Sequence, residues 1–202
     1  QYGQPNMQHN SPALVAVYCG SRMGNQPSYI DSAKQLGESL AQAGLGLVYG
    51  GASIGLMGVV ADAVLQKSGT VIGVIPEFML AYEVAHDNLT ELHVVDSMHT
   101  RKALMAARAS AFVALAGGFG TLEELTEVVT WAQLGQHRKP MILLNDQGYF
   151  DGLLLQVQRA VNDGFLNPRD AQRLIVCSTV EQVMTHLVGL SAQPMTAPTL
   201  IF

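Results

Sequence analysis

The chain is short of positive charge, of cysteine and of long apolar runs, and each shortage removes a class of function. Across 202 residues, 11 lysines and arginines face 16 aspartates and glutamates, a formal net charge of −5. A general nucleic-acid binder or a binder of anionic membranes carries the opposite bias, so neither nucleic acid nor a membrane is an expected partner. No apolar stretch approaches the ~20 residues that a membrane helix needs. Residues 1–12 also lack the basic start and apolar core of a secretory signal. The two cysteines, Cys19 and Cys177, sit inside apolar strand-like runs, so buried reduced thiols and a cytoplasmic location are expected. His9, His86, His93, His99, His137 and His186 form no H-x-x-x-H pair or Cys/His cluster, and no metal is expected.

What is present is an apolar body, 49% of residues, arranged in a βα rhythm. Apolar runs at 14–19, 45–49, 70–75, 92–95, 111–115, 141–144 and 174–177 alternate with helical patterns. Strands so uniformly apolar are buried on both faces, which calls for a mostly parallel sheet of about seven strands with helices on either side. The expected fold is a Rossmann-like, doubly wound α/β domain. No repeat, charge block or linker divides it, so residues 13–190 are taken as one nucleotide-binding catalytic domain. Residues 1–12 are expected to be a flexible N-terminal segment, and residues 191–202, with Pro194 and Pro198, a C-terminal tail.

In such a sheet ligands bind outside the strand C-termini. Three loops there are glycine-marked: Cys19-Gly20-Ser21-Arg22, the run from Gly50 to Gly58, and Ala116-Gly117-Gly118-Phe119-Gly120-Thr121. The third lies between a buried strand and a helix expected over 121–134, so its amide groups converge on one spot and form an anion site. Ser21, Ser53 and Thr121 can add hydroxyl donors. A dinucleotide fingerprint is absent after the first strand, and Gly118-Phe119-Gly120-Thr121 is not followed by a Walker lysine. The segment Asp96-Ser97-Met98-His99-Thr100-Arg101-Lys102 opens another helix with two cations in its first turns. These oppose the helix dipole, so they call for an anionic ligand or a carboxylate partner.

The stretch from Ala116 to Glu124 resembles the PGGxGTxxE signature of the Lonely Guy (LOG) family of cytokinin-activating nucleoside 5'-monophosphate phosphoribohydrolases, and Met98-His99-Thr100-Arg101-Lys102 resembles its MHxRK element. Cys19-Gly20-Ser21, the Gly50–Gly58 run and Thr130-Trp131-Ala132-Gln133-Leu134-Gly135 fit the same pattern, and the likeness spans residues 15–188 in order and spacing. One departure is Ala116, which stands where the family has proline. Alanine loosens entry to the turn but removes no donor or charge.

The resemblance implies hydrolysis of the N-glycosidic bond in AMP or N6-isoprenyl adenosine 5'-monophosphates, without a cofactor, in a homodimer with sites near the subunit boundary. It also implies Arg101 and Glu124 as catalytic residues. Glu83, Lys102, Gly118, Phe119, Gly120, Thr121, Leu122, Glu123 and Thr130 would contact substrate. A carboxylate beside the sugar suits this chemistry, because breaking C1'–N9 builds positive charge on the ribose. Arg101 would hold Glu124 ionised, grip the ligand or stabilise the departing base. The rival expectation is a non-catalytic carrier of a nucleotide or of the molybdenum cofactor on a similar fold. Pyridoxal chemistry is disfavoured, since of Lys34, Lys67, Lys102 and Lys139 only Lys102 lies by the crevice.

Overall fold

The computed structural model describes residues 11–81 and 84–192. Seven apolar runs become strands: β1 (Leu14–Tyr18), β2 (Gly46–Tyr49), β3 (Val71–Pro76), β4 (Glu91–Val95), β5 (Ala109–Ala114), β6 (Met141–Leu144) and β7 (Leu174–Cys177). Between them run α1 (Pro27–Gln42), α2 (Gly55–Gln66), α3 (Met98–Arg108), α4 (Phe119–Gln133), α5 (Asp151–Asn162), α6 (Pro168–Ala171) and α7 (Val180–Leu187). Local chemistry sets several of the helix starts. Pro27 opens α1 with its φ already helical, and the side chains of Ser97, Asn167 and Thr179 cap α3, α6 and α7.

All strand pairs are parallel, in the order β4-β3-β2-β1-β5-β6-β7. Alternation along β1 divides the core into layers. Val15, Val17 and Cys19 join a cluster with residues of α1, α2 and α7, whereas Leu14, Ala16 and Tyr18 join one with residues of α3 and α4. A third cluster links Leu125 of α4 and Phe150 to Ala114 and Leu143, with Leu153 and Leu154 of α5 packed on it. Helices therefore cover both faces, as the apolar pattern demands.

Two sequence expectations need correction. The central strands are buried apart from Ser110 of β5, but β7 is partly open, with Val176 46% exposed, and β4 is half open, with Leu92 and Val94 39% and 52% exposed. As an edge strand it lacks a neighbour on one side. The helix expected from Thr121 begins at Phe119, because Gly118 takes an extended conformation (φ −94°, ψ −152°) and serves as its N-cap. The N-terminal segment expected over 1–12 lies outside the described residues for 1–10, as does the tail for 193–202. A 3₁₀ turn, Val188–Ala192, follows α7.

The chain steps outward from β1 to β4 and then returns to the other side of β1 to start β5. The strand order reverses there, and a crevice opens between the C-terminal ends of β1 and β5. Its wall depends on tight packing of α1 against α2. A Cβ on Gly37 of α1 would stand 2.6 Å from the Val60 carbonyl oxygen and 2.7 Å from the Ala63 Cβ. A Gly37→Val substitution overpacks this contact and is expected to lower unfolding free energy by about 3 kcal/mol, measured by urea denaturation.

Candidate active site

Three loops meet over the crevice and are joined by main-chain hydrogen bonds. The Leu56 N–H donates to the Gly20 carbonyl at 3.0 Å, and the Gly20 N–H donates to the Ala116 carbonyl at 3.0 Å. Contact this close leaves no room for a side chain at position 117. A Cβ on Gly117 would lie 2.0 Å from Thr121 Oγ1 and 2.9 Å from the Gly20 nitrogen. Thr121 is buried beneath the turn, whereas Gly118, Phe119 and Gly120 face outward, Phe119 at 93% exposure. Helix geometry leaves the N–H groups of residues 118–121 without intrahelical acceptors, and among the described residues no side chain caps Gly118. Positive dipole and open donors together make an anion cradle. Beside it lies a cavity of about 340 Å³, lined by Gly20, Ser21, Tyr29, Gly117, Gly118 and Tyr149 among others. That volume lies within the range of small-molecule sites.

The two glutamates stand in the second turn of α4, beyond the reach of a simple dipole role. About 100° of helix rotation sends them apart. Glu123 pairs with Lys102, which also reaches Glu127 at 3.2 Å. Glu124 bears on the end of β1. Burial chiefly, and then the Glu124 charge, push the Cys19 thiol far above its usual range. Burial, followed by Glu124, Glu127 and Glu123, does the same to the Tyr18 phenol. Both groups therefore stay protonated, and Cys19 is no nucleophile.

Arg101 and Lys102 also diverge on α3. Arg101, 4% exposed, donates from Nε to the Val74 carbonyl at 3.0 Å and from Nη2 to the Gly50 carbonyl at 2.8 Å. Its Nη1 meets the thioethers of Met79 and Met98 at 3.4 and 3.8 Å. Gly50 is needed for this, since a Cβ there would fall 2.2 Å from Nη2. The guanidinium is thus clamped at the C-terminal ends of β2 and β3. Leu122 packs against the α4–α5 core cluster. Thr130 does not join the cradle: nine residues beyond Thr121, about 13 Å along the helix axis, its exposed hydroxyl donates to the Thr126 carbonyl. Of the three hydroxyls named from sequence, Ser21 is exposed at the crevice, Thr121 is buried, and Ser53 donates to the Val84 carbonyl at 2.9 Å. Glu83 lies outside the described residues.

Known proteins resemble the chain along most of its length. A protein named cytokinin riboside 5'-monophosphate phosphoribohydrolase from Rhodococcoides fascians is 50% identical, over 85% of this chain and 87% of its own. An Arabidopsis thaliana protein of that name is 51% identical, over 80% of this chain and 74% of its own. The chain belongs to the cytokinin riboside 5'-monophosphate phosphoribohydrolase family. A family model described as possible lysine decarboxylase matches residues 57–187. By fold alone, it is similar to the Moco carrier protein from Chlamydomonas reinhardtii (TM-score 0.68, 21% identity, 89% of this chain and 97% of that one). The molybdenum cofactor binding protein from Rippkaea orientalis is similar too (TM-score 0.66, 22% identity, 88% and 96%).

Within this phosphoribohydrolase family member, three side chains of the site escaped the sequence reading. Glu127 completes the Lys102 cluster one helical turn after Glu123, and i, i+4 spacing was the signal for it. Tyr29 and Tyr149 line the crevice, their rings meeting edge-on at 5.4 Å. Tyr149 follows the C-terminal end of β6, where strand-end logic already points to the ligand side.

Lys102 is about one-tenth exposed. Burial lowers its pKa, but hydrogen bonds and charge from Glu123 and Glu127 outweigh that and leave it raised above 10.5. A Schiff-base lysine needs the opposite shift, so Lys102 does not suit decarboxylase chemistry. A raised folded-state pKa gives stability that is complete below the unfolded value and fades as pH climbs through the folded one. Lys102→Met should therefore cost about 1–3 kcal/mol at neutral pH by stranding Glu127. It should also flatten the alkaline fall in unfolding free energy, both read from urea titrations across pH.

Proposed function

We propose that the protein hydrolyses the N-glycosidic bond of AMP or N6-isoprenyl-type adenosine 5'-monophosphates, releasing adenine or a cytokinin base and ribose 5-phosphate. The observation that carries this reading is the placing of Glu124. It stands one helical turn beyond an uncapped cradle of main-chain amides, and its charge is felt at the floor of the crevice. A 5'-phosphate held by residues 118–121 would bring the ribose beside that carboxylate.

In the reaction, C1'–N9 lengthens first and positive charge gathers on C1' and the ring oxygen. Glu124 stabilises that charge and orients a water molecule. The water oxygen bonds to C1', Glu124 takes its proton, and the bonding pair leaves with the base, which takes a proton from solvent while Glu124 returns its own to solvent. Arg101 adds a fixed positive charge opposite the developing negative charge of the base. Glu83, Lys102, Leu122, Glu123 and Thr130 complete the proposed substrate contacts, Lys102 by fixing Glu123 on the ribose side. No cofactor enters the scheme.

The acting unit is residues 13–190, and it works as a homodimer. Phe119 and Leu134, 93% and 68% exposed on or beside α4, supply apolar surface for a second copy near the site. The two free, buried thiols are compatible with a reducing cytoplasm. A carrier reading draws on the fold shared with Moco carrier proteins. It needs the cradle but no carboxylate at the sugar.

Chromatography of released base from AMP, isopentenyladenosine monophosphate and the unphosphorylated riboside tests the proposal. Both nucleotides should be cleaved, and the riboside far more slowly; equal rates would remove the cradle from recognition. Glu124→Gln is expected to lower kcat about 100- to 1000-fold while AMP still binds. A variant as fast as wild type would move catalysis to another residue, and a wild type that binds AMP but releases no base would return the case to the carrier.

A further inference from the structure

The cradle rests on peptide planes that glycine leaves free to rotate. Within one trans peptide, the carbonyl of residue 117 and the N–H of residue 118 point in opposite directions. A flip of that plane would swing the carbonyl into the anion site and carry φ of Gly118 from −94° to roughly +90°, a region open to glycine and nearly closed to other residues. A Cβ on Gly118 meets nothing within 4 Å, so the space around its Cα is open. A hydrogen bond to the Gly117 carbonyl from outside the turn would hold the native orientation.

Tyr149 supplies one. Its hydroxyl donates to the Gly117 carbonyl at 2.5 Å, across 32 residues of sequence. The ring is fixed from two sides, edge-on to Tyr29 at 5.4 Å and to Phe150 at 4.9 Å. Phe150 is 2% exposed, and its N–H donates to Asn145 Oδ1 at 2.7 Å, so the mount is anchored in the core at the end of β6. We propose that Tyr149 is a positioning residue for phosphate recognition, holding the Gly117 carbonyl so that the Gly118 N–H faces the anion. This rests on the phosphoribohydrolase reading for its substrate, but the anion-binding step is separable from the hydrolysis.

Tyr149→Phe removes the hydroxyl and keeps both ring contacts. With the full chain, KM for AMP and the inhibition constant of inorganic phosphate should rise together, about five- to tenfold, the worth of one hydrogen bond. Saturated kcat should move less than about twofold, the slow turnover of the unphosphorylated riboside should not change, and the thermal midpoint should hold. An unchanged phosphate constant, or a kcat loss with KM unchanged, would overturn the assignment. So would a riboside rate that falls as far as the nucleotide rate. Direct calorimetry of phosphate binding separates the two claims. If wild type releases no base but binds phosphate and Tyr149→Phe binds it more weakly, the hydrolase reading falls and Tyr149 keeps its role. If wild type binds neither phosphate nor AMP, both fall.

Discussion

A relay of two main-chain hydrogen bonds, from the Leu56 N–H to the Gly20 carbonyl and from the Gly20 N–H to the Ala116 carbonyl, sets the geometry on which the rest of the site depends. It draws the loops after β1, β2 and β5 into contact where the strand order reverses. Contact at that distance excludes a side chain at 117 and crowds one at 20, where a Cβ would stand 3.1 Å from the Arg22 carbonyl oxygen, which explains these glycines better than flexibility does. It also sets the start of α4. Thr121 packs under Gly117, and the first turn of the helix faces the crevice with its amides open.

On this frame two helices use neighbouring residues in the same way. Arg101 and Lys102 on α3, and Glu123 and Glu124 on α4, are adjacent pairs whose members diverge by the rotation of one residue. Lys102 and Glu123 meet each other between the helices, whereas Arg101 turns to the ends of β2 and β3 and Glu124 to the end of β1. One member of each pair joins the helices, and the other places charge at the crevice. The Lys102 cluster thus ties α3 to α4 beside the two outer charges.

Much of this was legible in the chain. The central strands declared themselves because burial on both faces leaves few residue types to choose from, and their boundaries fall within a residue or two of the expected runs. β4 was legible as a strand but not as an open edge, since Leu92 and Val94 look the same in sequence whether or not a neighbour covers them. The glycine turn was legible as a close-packed turn at a helix start, because glycine is what such contact requires. Arg101 and Glu124 could be named from pattern, yet the partners of Arg101 could not, because carbonyls of Val74 and Gly50 carry no residue signature. Tyr149 was missed for a related reason: its partner is a carbonyl 32 residues away. Thr130, also named from pattern, lies farther along α4, so a substrate contact there would be made away from the turn.

The anchoring of Arg101 to main-chain oxygens carries a consequence for sequence variation. A carbonyl is offered by every amino acid, so at position 74 the clamp is indifferent to side-chain identity as long as the strand keeps its course. At position 50 it is intolerant, since any Cβ would collide with the guanidinium. Two neighbouring strand ends that hold the same cation thus face unlike constraints, one on the path of the chain and the other on its bulk.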